Sequence, residues 1–283
     1  MTETLQFLLV AAQAIGTMLA VGLELRWVDI TRTLSQTRPV VLGLVLNLLL
    51  LPVATVLLLF GLHLPEAVAA GVLLAGACAG GNSAVLLTRN VHGDTAYAVT
   101  LLCLNNLLSL AVLPPLLAGV AGPLQLAPLP ALEVARQALL GLAIYMLAPL
   151  AVGMVLRSRV PLWAARWAPR FARIANLSLL TLILAMMLAH AKDLAQFDLA
   201  SLAAMLVLIL LSFGLATRIA SPASALGRAV LFSSGIRNLS LALLLAQLLQ
   251  LPALATLSIL TYGFLMYLLV LGLWWALNRY APA

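Results

Sequence analysis

The chain has 283 residues, of which 64% are hydrophobic and only 8% are charged, and its mean hydropathy is +1.15. No soluble globular domain of this length has that balance. The formal net charge of +7 does not indicate nucleic-acid binding, because the basic residues form no stripe and no polar domain carries them. Cys78 and Cys103 lie in apolar segments without the spacing of a disulfide framework or a metal site. The composition predicts an integral membrane protein in contact with lipid, with no cofactor and no bound metal.

Apolar segments of about 20 residues, the length that crosses the hydrocarbon core of a bilayer, follow one another along the chain. They predict an all-α integral membrane fold with nine transmembrane helices in a single transporter-like domain. The predicted spans cover residues 5–25, 40–61, 67–89, 95–119, 132–156, 171–190, 199–217, 228–249 and 253–277.

The basic residues are distributed unevenly between the two sides of these spans. Of the 15 Lys and Arg residues, twelve lie in the connections after the first, third, fifth and seventh spans or at the C-terminus. The positive-inside rule then predicts an N-terminus outside and a C-terminus in the cytoplasm, in a plasma membrane such as the bacterial inner membrane. No removable signal peptide is expected, because the N-terminus has neither a basic region nor a cleavage site.

Two of the predicted spans are interrupted at mid-depth by glycines and small polar residues, at 76–83 in the third span and 233–238 in the eighth. The halves of the chain match as four helices against five, in opposite orientations. This pattern predicts an inverted repeat (4+5) with two discontinuous crossing helices, which is typical of the binding site of a secondary transporter. The alternative is two unrelated helices softened by glycine.

Arg237 lies near the middle of the eighth span, just after its interruption. An arginine at that depth costs about 2.5–3.5 kcal/mol on insertion scales, so it is kept mostly where it faces a protein interior or a watery cavity. The alternative, a snorkelling side chain, applies near helix ends. No acidic residue lies at this depth, so the site favours an organic anion such as a carboxylate or sulfonate. The candidate substrate-binding residues are Gly81, Asn82, Ser83, Gly235, Arg237 and Asn238.

Catalytic motifs are absent from the sequence. It contains no HExxH, no P-loop, no GxSxG and no pair of carboxylates at depth, so the chain is not expected to be an enzyme. A channel-like protein and a non-transporting membrane sensor remain as alternatives to a transporter.

Three segments resemble the bile acid:sodium symporter family. Residues 18–26 resemble the end of its second helix, residues 76–81 followed by Gly93 and Asp94 resemble its first crossover, and residues 235–238 resemble its second. The resemblance implies a core subdomain of about residues 40–119 and 199–277 and a panel subdomain of about residues 5–25 and 132–190. A small organic anion, such as a bile acid, a steroid-like acid or a smaller organic acid, would cross by alternating access between them.

The same resemblance makes sodium doubtful as a partner, because the positions that correspond to the family's ligands for two sodium ions carry other residues. These ion-site equivalents are Asn47, Ala84, Val85, Ala98, Leu102, Ser233 and Arg237.

The hypothesis is that Arg237 is a tethered cation in the place of sodium, so that transport is sodium-independent. Two alternatives stay open. Arg237 could bind the anionic group of the substrate directly, or backbone carbonyls alone could hold sodium in a coupled symporter with a degenerate ion site.

Overall fold

The computed structural model describes residues 3–25, 37–62, 64–81, 83–121, 131–189 and 197–279, together with positions 28 and 31. These residues form helices and no strand, in agreement with the predicted all-α class. The helices are α1 (Glu3–Glu24), α2 (Thr37–Gly61), α3 (Glu66–Ala77), α4 (Ser83–Asn90), α5 (Thr95–Ala121), α6 (131–159), α7 (Pro161–Ala189), α8 (Leu199–Ile219), α9 (Ala225–Gly235), α10 (Leu239–Leu248) and α11 (Ala253–Arg279).

Several helices of the described chain are long enough to cross a membrane. Six helical segments within the described residues are long and apolar enough to span a bilayer, and counting the bent α5 as one span makes seven. One of the six, Ala225–Leu248, consists of α9 and α10 and is buried over its whole apolar window. α3 is apolar but only 12 residues long. The all-helical membrane class is therefore confirmed, whereas the nine-span count and the inverted repeat stay predictions.

The long helices pack in two sets of neighbours. α1 lies along α6 and α7, and it also contacts α10. α3 packs against α11 and α2, while α9 packs against α8, α4 and α5. One continuous hydrophobic cluster, from Val10 in α1 to Val270 in α11, joins the two sets.

Proline accounts for irregular stretches in α2 and α5. In α2 the turn Leu46–Leu50 is π-helical and contains Asn47; Pro52 follows it and has no N–H for the helical ladder. α5 bends by 50° just before Pro114 and Pro115, which cannot donate to the carbonyls of the preceding turn. The π-helical turn matters most here, because it presents Asn47 to the protein interior.

Candidate functional site

Helices end and restart near both positions where the sequence predicts an interruption, and the two breaks meet inside the protein. The first separates α3 from α4 and the second separates α9 from α10. The N–H of Gly81 donates to the carbonyl of Ile236 at 2.9 Å, and the N–H of Asn238 donates to the carbonyl of Cys78 at 3.0 Å. These bonds satisfy peptide groups that have no water to bond inside a bilayer. We call residues 78–81 and 236–238 the helix crossing.

Glycines in and beside the helix crossing allow close packing between its two segments and against α8. A Cβ at Gly81 would lie 2.5 Å from the carbonyl oxygen of Arg237, and a Cβ at Gly235 would lie 2.2 Å from the Phe213 ring. Gly80 has a φ of +73°, which side chains disfavour. Gly81 and Gly235 therefore have a structural reason to be glycine, and their predicted contact with substrate stays a prediction.

Asn238 and Ser83 are held by other side chains near the helix crossing. Asn238 accepts a hydrogen bond from the first turn of α10, and its amide donates to Oδ1 of Asn106 at 3.2 Å. The Asn106 amide lies 3.6 Å from the sulfur of Met18 in α1. The Ser83 hydroxyl is 2.7 Å from the Tyr267 hydroxyl in α11. Asn82, the remaining predicted polar residue, lies outside the described residues.

Arg237 is 2% exposed and is bound by oxygens of two neighbouring helices. Its Nη1 donates to Oδ1 of Asn47 at 3.0 Å. Its Nη2 donates to the backbone carbonyl of Asn47 at 3.5 Å and to that of Gly76. Thr55 and Tyr262 also flank the side chain. Residues of α2, α3, α8 and α11 thus surround the side chain.

The ligands of this cation are neutral. No carboxylate within the described residues pairs with Arg237; one amide oxygen and two backbone carbonyls accept its hydrogen bonds. The Asn47 amide is oriented for this role, because its Nδ2 donates to the hydroxyl of Ser234 at 3.3 Å. Carbonyl oxygens of this kind also replace the hydration shell of a desolvated alkali ion.

The other positions that correspond to family ion ligands carry little oxygen. Four of them are buried and apolar and lie in the main hydrophobic cluster: Ala84, Val85, Ala98 and Leu102. Ser233 is also buried, and its hydroxyl has no hydrogen-bond partner among the described residues. Side chains at these five positions therefore offer one oxygen in total, that of Ser233.

A cavity of about 390 Å³ lies between α1 and α7 on one side and α4 and α5 on the other. Its lining is mostly apolar and includes four polar or charged residues, Thr17, Glu24, Arg89 and Arg173. A volume of this size is typical of a site for a small organic ligand. None of the five predicted substrate-binding residues that the structure describes lines it, although Val85, one of the ion-site equivalents, does.

The charged lining residues were absent from the site predicted from the sequence. Glu24, Arg89 and Arg173 all lie at predicted span ends, where charges normally mark topology. Only the packing of α7 against α1 reveals that they share a cavity.

A comparison with known families identifies the chain. A model of the Sodium Bile acid symporter family matches residues 14–197. The chain belongs to this family. The match includes the first helix interruption and ends before the second, so Arg237 lies beyond it. Membership confirms the resemblance drawn from the motifs, supports an integral membrane protein, and agrees with the prediction that the chain is not an enzyme.

Two proteins are similar to part of the chain. The uncharacterized sodium-dependent transporter YocS of Bacillus subtilis is 33% identical over 100 residues, which cover 35% of this chain and 31% of that protein. The probable sodium/metabolite cotransporter BASS1, chloroplastic, of Arabidopsis thaliana is 29% identical over 105 residues, covering 37% of this chain and 26% of that protein. The matches therefore span less than a third of either relative.

Proposed function

We propose that this chain is a secondary transporter that moves a small organic anion by alternating access, without sodium. A core of about residues 40–119 and 199–277 would move against a panel of about residues 5–25 and 132–190. Nine spans in a 4+5 inverted repeat, with the N-terminus outside a bacterial inner membrane, belong to the same proposal. The substrate class is that of bile acids, other steroid-like acids or smaller organic acids.

The observation that carries the proposal is the set of oxygens around Arg237. A positive charge at the second interruption already binds the Asn47 amide oxygen and the carbonyls of Asn47 and Gly76. These oxygens are suited to a desolvated cation. A side chain that supplies the cation removes the need for a soluble one.

A second cation at this position would be repelled. Two unit charges about 4 Å apart interact by roughly 4 kcal/mol at an effective dielectric constant of about 20. Arginine has no oxygen that could bind sodium. Sodium could therefore bind the three acceptor oxygens only by displacing the guanidinium from them.

The contacts of Arg237 favour a tethered cation over direct substrate binding. All its side-chain acceptors lie in α2 and α3, within the proposed core, and the side chain is 2% exposed. The cavity of about 390 Å³ lies between other helices and does not include Arg237. The charge would therefore travel with the core and not contact the substrate.

A sodium-coupled symporter with a degenerate ion site is the second candidate, and the names of both relatives favour it. Those names describe a sodium-dependent transporter and a sodium/metabolite cotransporter. The two candidates differ in one measurable property, the dependence of transport on sodium.

The experiment is counterflow in proteoliposomes. Thermal-shift screening of organic acids, with cholate as the first, selects a labelled anion, and its exchange is measured in sodium and in choline buffers. We expect equal rates in both. Strict dependence on sodium would establish the second candidate, and no exchange of any anion would contradict transport itself.

The Arg237→Gln variant distinguishes a tethered cation from a direct ligand of the substrate. A tethered cation predicts that the variant binds the selected anion with little change in affinity but exchanges it slowly. A direct ligand predicts a selective loss of affinity for anions, while uncharged analogues bind as before. Arg237→Lys, which keeps the charge, is the control and should retain more exchange than the glutamine variant.

A further inference from the structure

The cavity between α1, α4, α5 and α7 has an asymmetric charge. Eight of its twelve lining residues are apolar: Ala20, Val21, Val85, Leu86, Val99, Pro169, Ala172 and Leu177. The three charged residues are Glu24 in the last turn of α1, Arg89 in the last turn of α4, and Arg173 in α7. The described lining therefore combines a long apolar wall with one net positive charge.

The two arginines of this cavity differ in their partners. Nη2 of Arg89 is 3.3 Å from Oε2 of Glu24, an ion pair that joins α4 to α1. Arg173 is exposed, and no described carboxylate forms an ion pair with it. Among the described lining residues, Arg173 therefore supplies the uncompensated charge.

Arg170, a second arginine of α7, contacts an aromatic ring and does not line the cavity. Arg170 lies over the Trp167 ring, with 4.8 Å between its guanidinium carbon and the ring centroid. Trp167 is itself stacked on Trp163, with ring centroids 5.7 Å apart. Arg170 does not line the cavity, although it lies only one helical turn before Arg173. This arrangement provides a matched control for the charge of Arg173.

We propose that Arg173 binds the acid group of the substrate while the apolar body of the substrate lies along α4 and α5, and that this pairing selects monoanions over dianions. The proposal rests on the proposed transport function and assigns a residue to its specificity. A guanidinium binds a carboxylate or sulfonate with two parallel hydrogen bonds. An apolar body fits the wall that Leu86 and Val99 line.

Glu24 explains why one negative charge is preferred over two. It keeps Arg89 paired, so a second acid group of the ligand would have no free guanidinium and would meet a carboxylate of like charge. Small dicarboxylates also lack the apolar body that would replace water along the wall. Both effects select against dianions.

The positive charge that Arg173 gives to the cavity can be tested without a known substrate. In a Leu86→Cys variant in nanodiscs, the modification rate by the anionic sulfonatoethyl methanethiosulfonate is compared with that of its cationic trimethylammonium analogue. Leu86 lines the cavity and is 47% exposed, whereas the native Cys78 and Cys103 are buried.

We expect the anionic reagent to modify the Leu86→Cys variant faster than the cationic reagent does, after each rate is divided by the rate of the same reagent with a free thiol in solution. Arg173→Gln should lower that preference by roughly two- to fivefold, the effect of one nearby charge in a watery site, and Arg170→Gln should leave it unchanged. Equal effects of the two substitutions, or no effect of either, would overturn the assignment.

Ligand recognition is tested with submicellar cholate and its uncharged methyl ester, titrated into nanodiscs with and without protein. We expect Arg173→Gln to weaken cholate binding by about tenfold, since a charge-assisted hydrogen bond is lost, and to leave the ester unaffected. Arg173→Lys should restore part of the affinity. Cholate binding that is absent in the wild type, or equal in the wild type and Arg173→Gln, would contradict the proposal.

These outcomes are separable from failure of the proposed function. Binding that depends on Arg173 without any counterflow would contradict transport and leave the anion site standing. Counterflow of cholate that is indifferent to Arg173→Gln would contradict the anion site and leave transport standing.

Discussion

Arg237 is a buried cation that is stabilised by neutral oxygens. Hydrogen bonds to a charged group contribute about 1.5–3 kcal/mol each, and removal of one partner leaves the others unpaired at a further cost. The planar guanidinium reaches Asn47 in α2 and Gly76 in α3 at once, which the single ammonium of a lysine would do less well. The arginine therefore ties two helices to the helix crossing, besides supplying a charge.

The contribution of these bonds can be measured with two buried asparagines. Asn47 and Asn105 are equally buried, but neither amide atom of Asn105 has a hydrogen-bond partner among the described residues. Asn47→Ala should lower the thermal midpoint clearly more than Asn105→Ala, because it alone removes a charge-assisted bond worth about 1.5–3 kcal/mol. A loss for Asn105→Ala as large as that for Asn47→Ala would contradict this account of Arg237.

At the scale of elements, the helix crossing depends on close backbone contact. Gly81 and Asn238 pair the two interruptions through hydrogen bonds of 2.9 and 3.0 Å to Ile236 and Cys78. The α9–α10 span that carries one of them is buried along its apolar length. Irregular backbone survives at membrane depth only when protein surrounds it in this way.

Alanine substitutions at two glycines test this contact. Gly81→Ala places a Cβ 2.5 Å from the Arg237 carbonyl oxygen and should push apart the two segments of the helix crossing. We therefore expect a lower thermal midpoint and less monodisperse protein. Gly214 in α8 has no neighbour within 4 Å of an added Cβ, and its alanine variant should be neutral or stabilised by about 0.5–1 kcal/mol. Equal stability of both variants would show that the crossing tolerates a wider separation.

The helix interruptions could be predicted from the sequence because glycine and small polar residues stand out in an apolar run. The burial of Arg237 follows from the cost of a charge at depth. Its partners could not be predicted, since Asn47 and Gly76 lie 190 and 161 residues away along the chain. The cavity was missed for a related reason: Arg173 resembles any interfacial basic residue until α7 is packed against α1.

At the scale of the whole molecule, the contacts of α1 suggest one state of the transport cycle. The cavity extends to Glu24 at the end of α1 that is predicted to be cytoplasmic. Nearer the middle of α1, the Gln13 amide donates to the Ser240 hydroxyl at 2.6 Å and closes the contact with α10. Within the proposed topology this arrangement is inward-facing.

If transport is facilitated diffusion without a coupling ion, the membrane potential sets the direction of net transport. Moving one charge across 100 mV is worth about 2.3 kcal/mol, so a monoanion should distribute roughly 50-fold in favour of the positive side. In proteoliposomes with a potassium diffusion potential, negative inside, we expect the wild-type protein to release labelled cholate from the lumen. Protein-free liposomes with the same potential are the control. Accumulation inside under an inward sodium gradient would contradict sodium-independent transport.

The central claim is that Arg237 occupies the place of sodium, and equilibrium binding of radioactive sodium to the purified protein tests it most directly. Arg237→Gln is measured in parallel, since it removes the repelling charge and leaves the oxygens of Asn47 and Gly76 free. The account predicts no saturable sodium binding by the wild-type protein. Saturable, stoichiometric binding that unlabelled sodium displaces and potassium does not would contradict it.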